Sequence, residues 1–385
     1  MSARKHILVA VYVAVLAAPV AAKLGGVREH PLEGAFAPAP APAMTFDGVT
    51  SERYQHGTTA WFESWMGLRS WETWIDNSLL YHLFGETKWG SHVSIGSERM
   101  LFERDDINYF NRGREEMPAA ASVVSFADAI LTLQRRLQRE GRALVPIFLP
   151  SKTTFYRDKV TPALTRDLGE PRPGDVQIYA AMKTALAQRG VRFVDGIELL
   201  RDAEQPRDVL WGRDARHFSP VAGCLAMASV MRVYAELTSR PPVDYPCRET
   251  RIRVNRKHSD LDLFRLLNAW VGDRDRHVHV VEREPPPKPA NPPNAMWIST
   301  SFGWLLEIDA VQSNLFGQIH LAYYNASLYQ DGVEGSTPIE PHTPAWRDVF
   351  LTRDLYVLEL HESYLVPGKF FGEDAVRAIL RDLGP

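Results

Sequence analysis

The longest apolar run in the chain, Ile7 to Ala22, follows Arg4, Lys5 and His6 and ends in Val20, Ala21 and Ala22 after Pro19. A basic start, an apolar centre and small residues at the end make the layout of a bacterial-type secretory signal. Sixteen residues at about 1.5 Å rise reach roughly 24 Å, short of the ~30 Å hydrocarbon core. The segment 1–22 is therefore expected to be a signal peptide cut after Ala22 or a retained signal anchor, with the remainder exported to the periplasm. Pro38, Pro40 and Pro42 then alternate with alanine, a pattern that favours extended polyproline II, so 23–60 is expected to be a linker. From there Trp61, Phe62, Trp65, Leu68, Trp71, Trp74 and Ile75 recur at three- and four-residue steps, which predicts a helix with one apolar face, expected to pack, with a sugar or membrane surface as the alternative.

Downstream the period alternates. Helical patterns cover Ser125 to Glu140, Asp175 to Gln188 and Val221 to Leu237; apolar strands cover Ala143 to Leu149, Val191 to Val194, Met296 to Ile298, Ile319 to Tyr324 and Leu355 to Leu360. Strands separated by helices of this length predict a three-layer α/β fold around a mostly parallel sheet. The proline cluster from Pro285 to Pro293 has strand-like segments on both sides and reads as a loop within that one sheet. The segment 61–385 is expected to form one domain.

Composition narrows the function classes. The 385 residues are 45% hydrophobic and 24% charged, which excludes a largely disordered chain. A formal net charge of -3 without a concentrated basic block gives no nucleic-acid surface. No Gly-rich phosphate loop occurs, so neither a nucleotide-dependent donor nor any other cofactor is expected. Two cysteines, Cys224 and Cys247, either form one disulfide in an oxidising compartment or remain two buried thiols. His277 and His279 alternate as on a strand, but no third ligand at recognisable spacing accompanies them, so an exposed strand face is expected and no metal.

In open parallel sheets, sites gather outside the carboxyl ends of the strands. Two places fit. One is Asp214-Ala-Arg-His217, just before a helix, where an aspartate can orient an imidazole acting as general base. The other is the turn Ser299-Thr-Ser301-Phe302-Gly303, where an apolar strand runs into a helix. A serine there presents its hydroxyl at the sheet's edge, next to the first N–H groups of the helix, but is inert without a base. The bland alternative is an N-cap formed by Thr300 or Ser301. No GxSxG elbow is present, which disfavours an α/β-hydrolase. Asn325, at the end of the Ile319 to Tyr324 strand, and Phe302 are the candidates for oxyanion or substrate contact, against a turn-forming role for Asn325.

Together these segments resemble the SGNH-hydrolase-like alginate O-acetyltransferases, periplasmic enzymes that acetylate an exported polysaccharide. Trp61 to Gly85, with Phe62, Arg69, Asn77 and the ending Tyr81-His-Leu-Phe-Gly85, is similar to the family's N-terminal helix. His92-Val-Ser-Ile-Gly-Ser-Glu-Arg-Met-Leu-Phe102 resembles its v-x-x-G-x-(D/E)-G-W-L-F segment, and Val145-Pro-Ile-Phe-Leu-Pro-Ser-Lys152 with Tyr156 its v-P-x-K-x-x-x-Y strand end. The Asp/His turn precedes the serine turn, reversed from ordinary SGNH hydrolases. The resemblance makes Ser301 the nucleophile, His217 the base and Asp214 the orienting acid. Asp208 is a fallback acid, and Lys152, which matches the family, is expected to anchor a helix or loop, against a catalytic role. There is a departure: Ala215 and Phe218 stand where the family has Asp and Trp, while Asp214-x-x-His217 agrees with SGNH hydrolases in general.

What the resemblance implies is acetyl transfer through an acyl-serine onto hydroxyls of an exported polysaccharide, alginate or a related exopolysaccharide, with a membrane-bound O-acyltransferase relaying the acetyl group. Two alternatives stay open. One is a polysaccharide deacetylating esterase using the same triad. The other is a non-catalytic carbohydrate-binding subunit, with surface aromatics such as Trp211, Trp297 and Trp304 meeting the sugar.

Overall fold

A computed structural model of the chain describes residues 3–34, 38–88, 91–112, 120–165, 178–243, 245, 247, 249–254, 261–270, 277–281, 287–366 and 369–384. It divides into two compact units, one formed by 1–95 with 263–273 and the other by 96–262 with 274–385.

The second unit is built on a seven-stranded sheet. Its strands are β1 (Ala143–Leu149), β2 (Val194–Asp195), β5 (Ala295–Ser299), β6 (Ile319–Tyr323), β7 (Ser327–Gln330), β8 (Thr337–Pro338) and β9 (Leu355–His361), and their spatial order is β8-β7-β6-β5-β9-β1-β2. The five strands from β6 to β2 run parallel, and β7 and β8 add an antiparallel edge. Every residue of β1, β5 and β9 is buried, as expected for strands covered on both faces.

The alternation along β1 shows the two layers. Ala143, Val145, Ile147 and Leu149 face a core shared with helix α6 (Pro220–Thr238) and Leu305 and Leu306 of α7 (Gly303–Ser313). Leu144 and Phe148 face a core shared with α4 (Ala120–Arg139), α5 (Ile178–Gln188) and α8 (Glu373–Leu383). Helix α6 starts where Ser219 caps the free N–H groups of Val221 and Ala222, with Pro220 at the first helical position. Hydropathy alone would let α6 cross a membrane, but most of it is inside this core.

The chain has the expected three-layer α/β architecture with a mostly parallel sheet. Two details differ from expectation. The strand expected from Val191 shrinks to Val194–Asp195. The Pro-rich segment does not lie within one sheet: His277–Val281 (β4) pairs antiparallel with Glu249–Val254 (β3) in a separate two-stranded sheet, and β5 follows in the main one. A strand's apolar pattern records its local burial and not which sheet it joins. Cys224, on α6, and Cys247 form a disulfide.

The first unit is helical. The apolar N-terminal run lies in α1 (Ala3–Leu24), with its side chains exposed. Residues 38–45 are irregular, but 46–60 of the expected linker are not: Thr45 caps a short helix, Phe46–Thr50, and α2 (Arg53–Trp65) follows. The expected single helix over the aromatic stripe is broken at Met66 to Leu68, where Leu68 has φ 66°, and resumes as α3 (Arg69–Leu79), which runs into a π-helical turn, Leu80–Phe84. Trp61, Trp65 and Trp74 are half-buried, whereas Phe62, Trp71 and Ile75 are exposed, so the stripe packs over only part of its length.

Candidate active site

The site forms at the carboxyl ends of β5 and β9. β5 ends at Ser299, and the turn Thr300-Ser301-Phe302 leads into α7. This turn is fixed from below by Glu359 of β9, a fully buried carboxylate. Its Oε1 accepts the Thr300 hydroxyl at 2.5 Å and its Oε2 accepts the Thr300 N–H at 3.1 Å. Burial pushes Glu359 up to about 7, against the pull of these hydrogen bonds. Gly303 opens the helix because any side chain there would collide: a Cβ would stand 1.8 Å from the Ser299 hydroxyl. α7 has no side-chain cap on its first N–H groups; the Thr300 hydroxyl donates to Glu359 and accepts the Phe302 N–H at 3.4 Å, so Thr300 alone meets part of the capping alternative, and Ser301 points elsewhere.

It points to His217. The Ser301 Oγ lies 2.9 Å from His217 Nε2, across 84 positions of sequence. His217 belongs to a turn tied down by Lys152, whose buried ammonium donates to the carbonyls of Gly212, Arg213 and Ala215 at 2.6 to 2.9 Å, so Lys152 is the loop anchor expected of it. Trp211 donates through its indole N–H to the Arg216 carbonyl and packs edge-on against Phe218 and Phe302. Phe302 also lies against the imidazoles of His217 and His361, at 4.7 and 4.2 Å between ring centroids.

The acid differs from the one expected. The carboxylate on His217 Nδ1 is Asp262, whose Oδ2 is 2.5 Å away and whose Oδ1 accepts the Arg216 N–H at 2.5 Å. Asp214 is turned to its neighbour Arg213, which grips it bidentately at 3.0 and 2.7 Å. Because Lys152 holds the backbone of 212–215, the aspartate three positions before the histidine is directed to Arg213, and Nδ1 faces the first residue of the short helix Asp262–Leu266. Asp208, the fallback, is exposed on the short helix Arg207–Leu210. No sequence pattern marked Asp262; it follows His217 by 45 positions and acquires its role only by folding.

The remaining candidates fall into place less directly. Phe302 is buried as a packing residue beneath the imidazole. Asn325 sits with φ 55° in the β6–β7 turn beside Tyr324, whose N–H donates to the Ser299 carbonyl, so the turn-forming role describes it; its Oδ1 is buried without a hydrogen bond. Trp211 and Trp297 are fully buried and meet no sugar; Trp304, half-buried, packs on Tyr323 and Tyr329. The side chains of His277 and His279 lie outside the described residues. Around Ser301, His217 and Asp262, burial raises the Glu103 carboxyl to about 8, with Arg216 opposing, and lowers the His361 imidazole to about 3.

This arrangement can run acyl transfer. An acceptor carboxylate on Nδ1 holds the ring proton there and leaves Nε2 to take the serine proton. Residues 93–291 match the family model of the SGNH hydrolase-like domain of acetyltransferase AlgX.

The chain belongs to this family.

The AlgX-type match covers His217 and Asp262 and ends before Ser301. No curated protein sequence matches the chain. Among solved structures, the O-acetyltransferase domain of Pseudomonas putida AlgJ is similar at 16% identity and TM-score 0.43, over 74% of this chain and 98% of that one. Pseudomonas aeruginosa AlgX is similar at 14% identity and TM-score 0.43, over 75% and 66%. Bacillus cereus PatB1 is similar at 9% identity and TM-score 0.42, over 66% and 93%. The fold is the SGNH-hydrolase-like one, and His217 precedes in the chain the Ser301 that it contacts.

Proposed function

We propose that this AlgX-type protein is an O-acetyltransferase acting outside the cytoplasm on hydroxyls of an exported polysaccharide, alginate or a related exopolysaccharide. The observation that carries the reading is the continuous relay from the Ser301 hydroxyl to His217 Nε2 and from Nδ1 to Asp262. Membership of an acetyltransferase family and an apolar N-terminal helix of signal or anchor type support it.

In the first half-reaction the Ser301 oxygen attacks the acetyl carbonyl while its proton passes to His217 Nε2. The donor's leaving group then departs with that proton, and acetyl-Ser301 remains. In the second, a sugar hydroxyl gives its proton to Nε2 and attacks the acetyl-serine, which releases the acetylated sugar and restores the serine proton. Asp262 stabilises the imidazolium formed in each half. The donor in the cell is proposed to be a membrane-bound O-acyltransferase that relays the acetyl group.

Incubation of the protein with p-nitrophenyl acetate and mannuronate oligosaccharides tests this. The expected result is an acetyl adduct on Ser301 by peptide mass spectrometry and acetylated oligosaccharide in the product. Acetate release with no acetylated sugar, across uronate and neutral oligosaccharide acceptors, would instead assign the same triad to an esterase. The absence of any adduct or turnover would leave a carbohydrate-binding role.

A further inference from the structure

The exposed apolar side chains of the first unit are not scattered. Trp71, Ile75, Leu79 and Leu83 follow one another at four-residue steps along α3 and its π-helical continuation, and they are 38, 48, 49 and 68% exposed. Four-residue steps keep a helical stripe on one side, and twelve positions at about 1.5 Å extend it over roughly 18 Å. Trp270, 62% exposed, lies against this helix: its N–H donates to the Ser78 hydroxyl and its ring meets His82. A face of this kind marks a surface that something covers.

The same unit shows what covers it. Lys5–Leu24 of α1 is twenty residues long with mean hydropathy 2.3 and almost no burial; at about 1.5 Å per residue it reaches ~30 Å, the thickness of a bilayer's hydrocarbon core. The end of that helix and the chain leaving it are bonded to the start of α3. Gly67 donates its N–H to the Pro19 carbonyl, and the backbones approach so closely that a Cβ on Gly67 would lie 2.7 Å from the Lys23 nitrogen. Glu29 accepts the Leu68 N–H at 3.0 Å and the Ser70 hydroxyl, the Arg28 carbonyl accepts the Trp71 indole N–H at 3.0 Å, and the His30 ring packs on Trp71 and Trp74. Wherever α1 leaves a membrane, α3 therefore begins at that boundary. Tryptophan and leucine on one face of a helix are the side chains that settle into the headgroup region.

We propose that the Trp71, Ile75, Leu79 and Leu83 face lies on a phospholipid bilayer, as a second contact beside an α1 that is retained as the anchor. The unit is then a collar at the membrane surface, and the protein is held there by more than one helix.

Both native cysteines are in the disulfide, so a single added cysteine can carry an environment-sensitive dye. Full-length Ile75→Cys, Leu79→Cys and Leu83→Cys proteins, each labelled with nitrobenzoxadiazole, are placed in phosphatidylethanolamine and phosphatidylglycerol vesicles. Val333→Cys, at an exposed site in the other unit, is the reference. The expected result is quenching by shallow spin-labelled lipids several-fold stronger at 75, 79 and 83 than at 333, with the reverse order for aqueous iodide. Equal iodide access at all four positions overturns the proposal. So does shielding at 75, 79 and 83 without quenching by lipid, which means a protein partner or a second copy covers the face. Recovery of the mature chain in the vesicle-free fraction, cut after Ala22, overturns it as well.

Discussion

The two units treat apolar side chains in opposite ways. In the sheet unit, among the described residues, the exposed large hydrophobics are Val124, Val311 and Val333, while strands such as β1 and β9 are buried on both faces. In the helical unit α2 buries no residue fully, and side chains from Phe46 to Leu83 stand in solvent. A parallel sheet with helices on both faces closes its own core; two helices and a long apolar segment do not. On the two proposals made above, chemistry and attachment are separated along this chain: the sheet unit closes its own core around the Ser301, His217 and Asp262 contacts, and the helical unit leaves apolar surface uncovered.

The comparison breaks first if the chemistry is not in the sheet unit. Ser301→Ala should lower acetyl transfer by about 10⁴-fold or more with an unchanged unfolding midpoint, since it removes the nucleophile and little packing. Kinetics beside a urea titration checks this, and near-normal turnover would remove the assignment. Asp262→Asn should cost on the order of a hundredfold or more in kcat, because the imidazole loses the partner that fixes its tautomer, while Asp214→Asn should cost far less. Equal losses in the two would return Asp214 to the triad.

Stability sharpens the same contrast. Phe148, fully buried and in edge-on contact with Tyr179 and Phe193, should cost about 3–5 kcal/mol when cut to alanine. Leu83→Ala, on the exposed stripe, should change stability by less than about 0.5 kcal/mol in the absence of lipid. Paired denaturation curves decide it; similar losses would show that the stripe is a core after all.

The smallest effect is a pH slope. Burial, then Arg216 and His217, hold the His361 imidazole at about 3, so the folded ring stays neutral while the unfolded one protonates near pH 6.5. Its contribution is present above that pH and is lost as pH falls toward 3, by up to ~1.4 kcal/mol per pH unit. Glu359 and Glu103, raised to about 7 and about 8, act oppositely: what they contribute is present at acid pH and lost as pH rises through those values. Relative to the parent, His361→Asn should therefore gain stability steadily below pH 6.5. A pH-independent difference between the two proteins would mean that His361 is not held neutral.

Much of this protein was legible in its sequence. The strands Ala143–Leu149 and Leu355 to Leu360, helix α6 and the serine turn after β5 follow from period and punctuation, because burial on two faces leaves an unbroken apolar run and a helix face leaves a 3.6 period. For Cys224 and Cys247 the sequence left a disulfide and two buried thiols open, since spacing carries no geometry, and the structure bridges them. Ser301 and His217, both singled out from the sequence, do meet at 2.9 Å, because each stands at a strand or helix end where local pattern predicts a side chain turned toward one edge of the sheet. Three things only tertiary structure decided. Asp262, and not Asp214, reaches His217, since the anchoring of the turn by Lys152 is a contact across 60 or more positions. Glu359 binds the Thr300 turn from a strand whose apolar pattern gave no sign of a buried carboxylate. The aromatic stripe of 61–75 is half packing and half surface, because periodicity reports that a face is apolar and says nothing of what, if anything, lies against it.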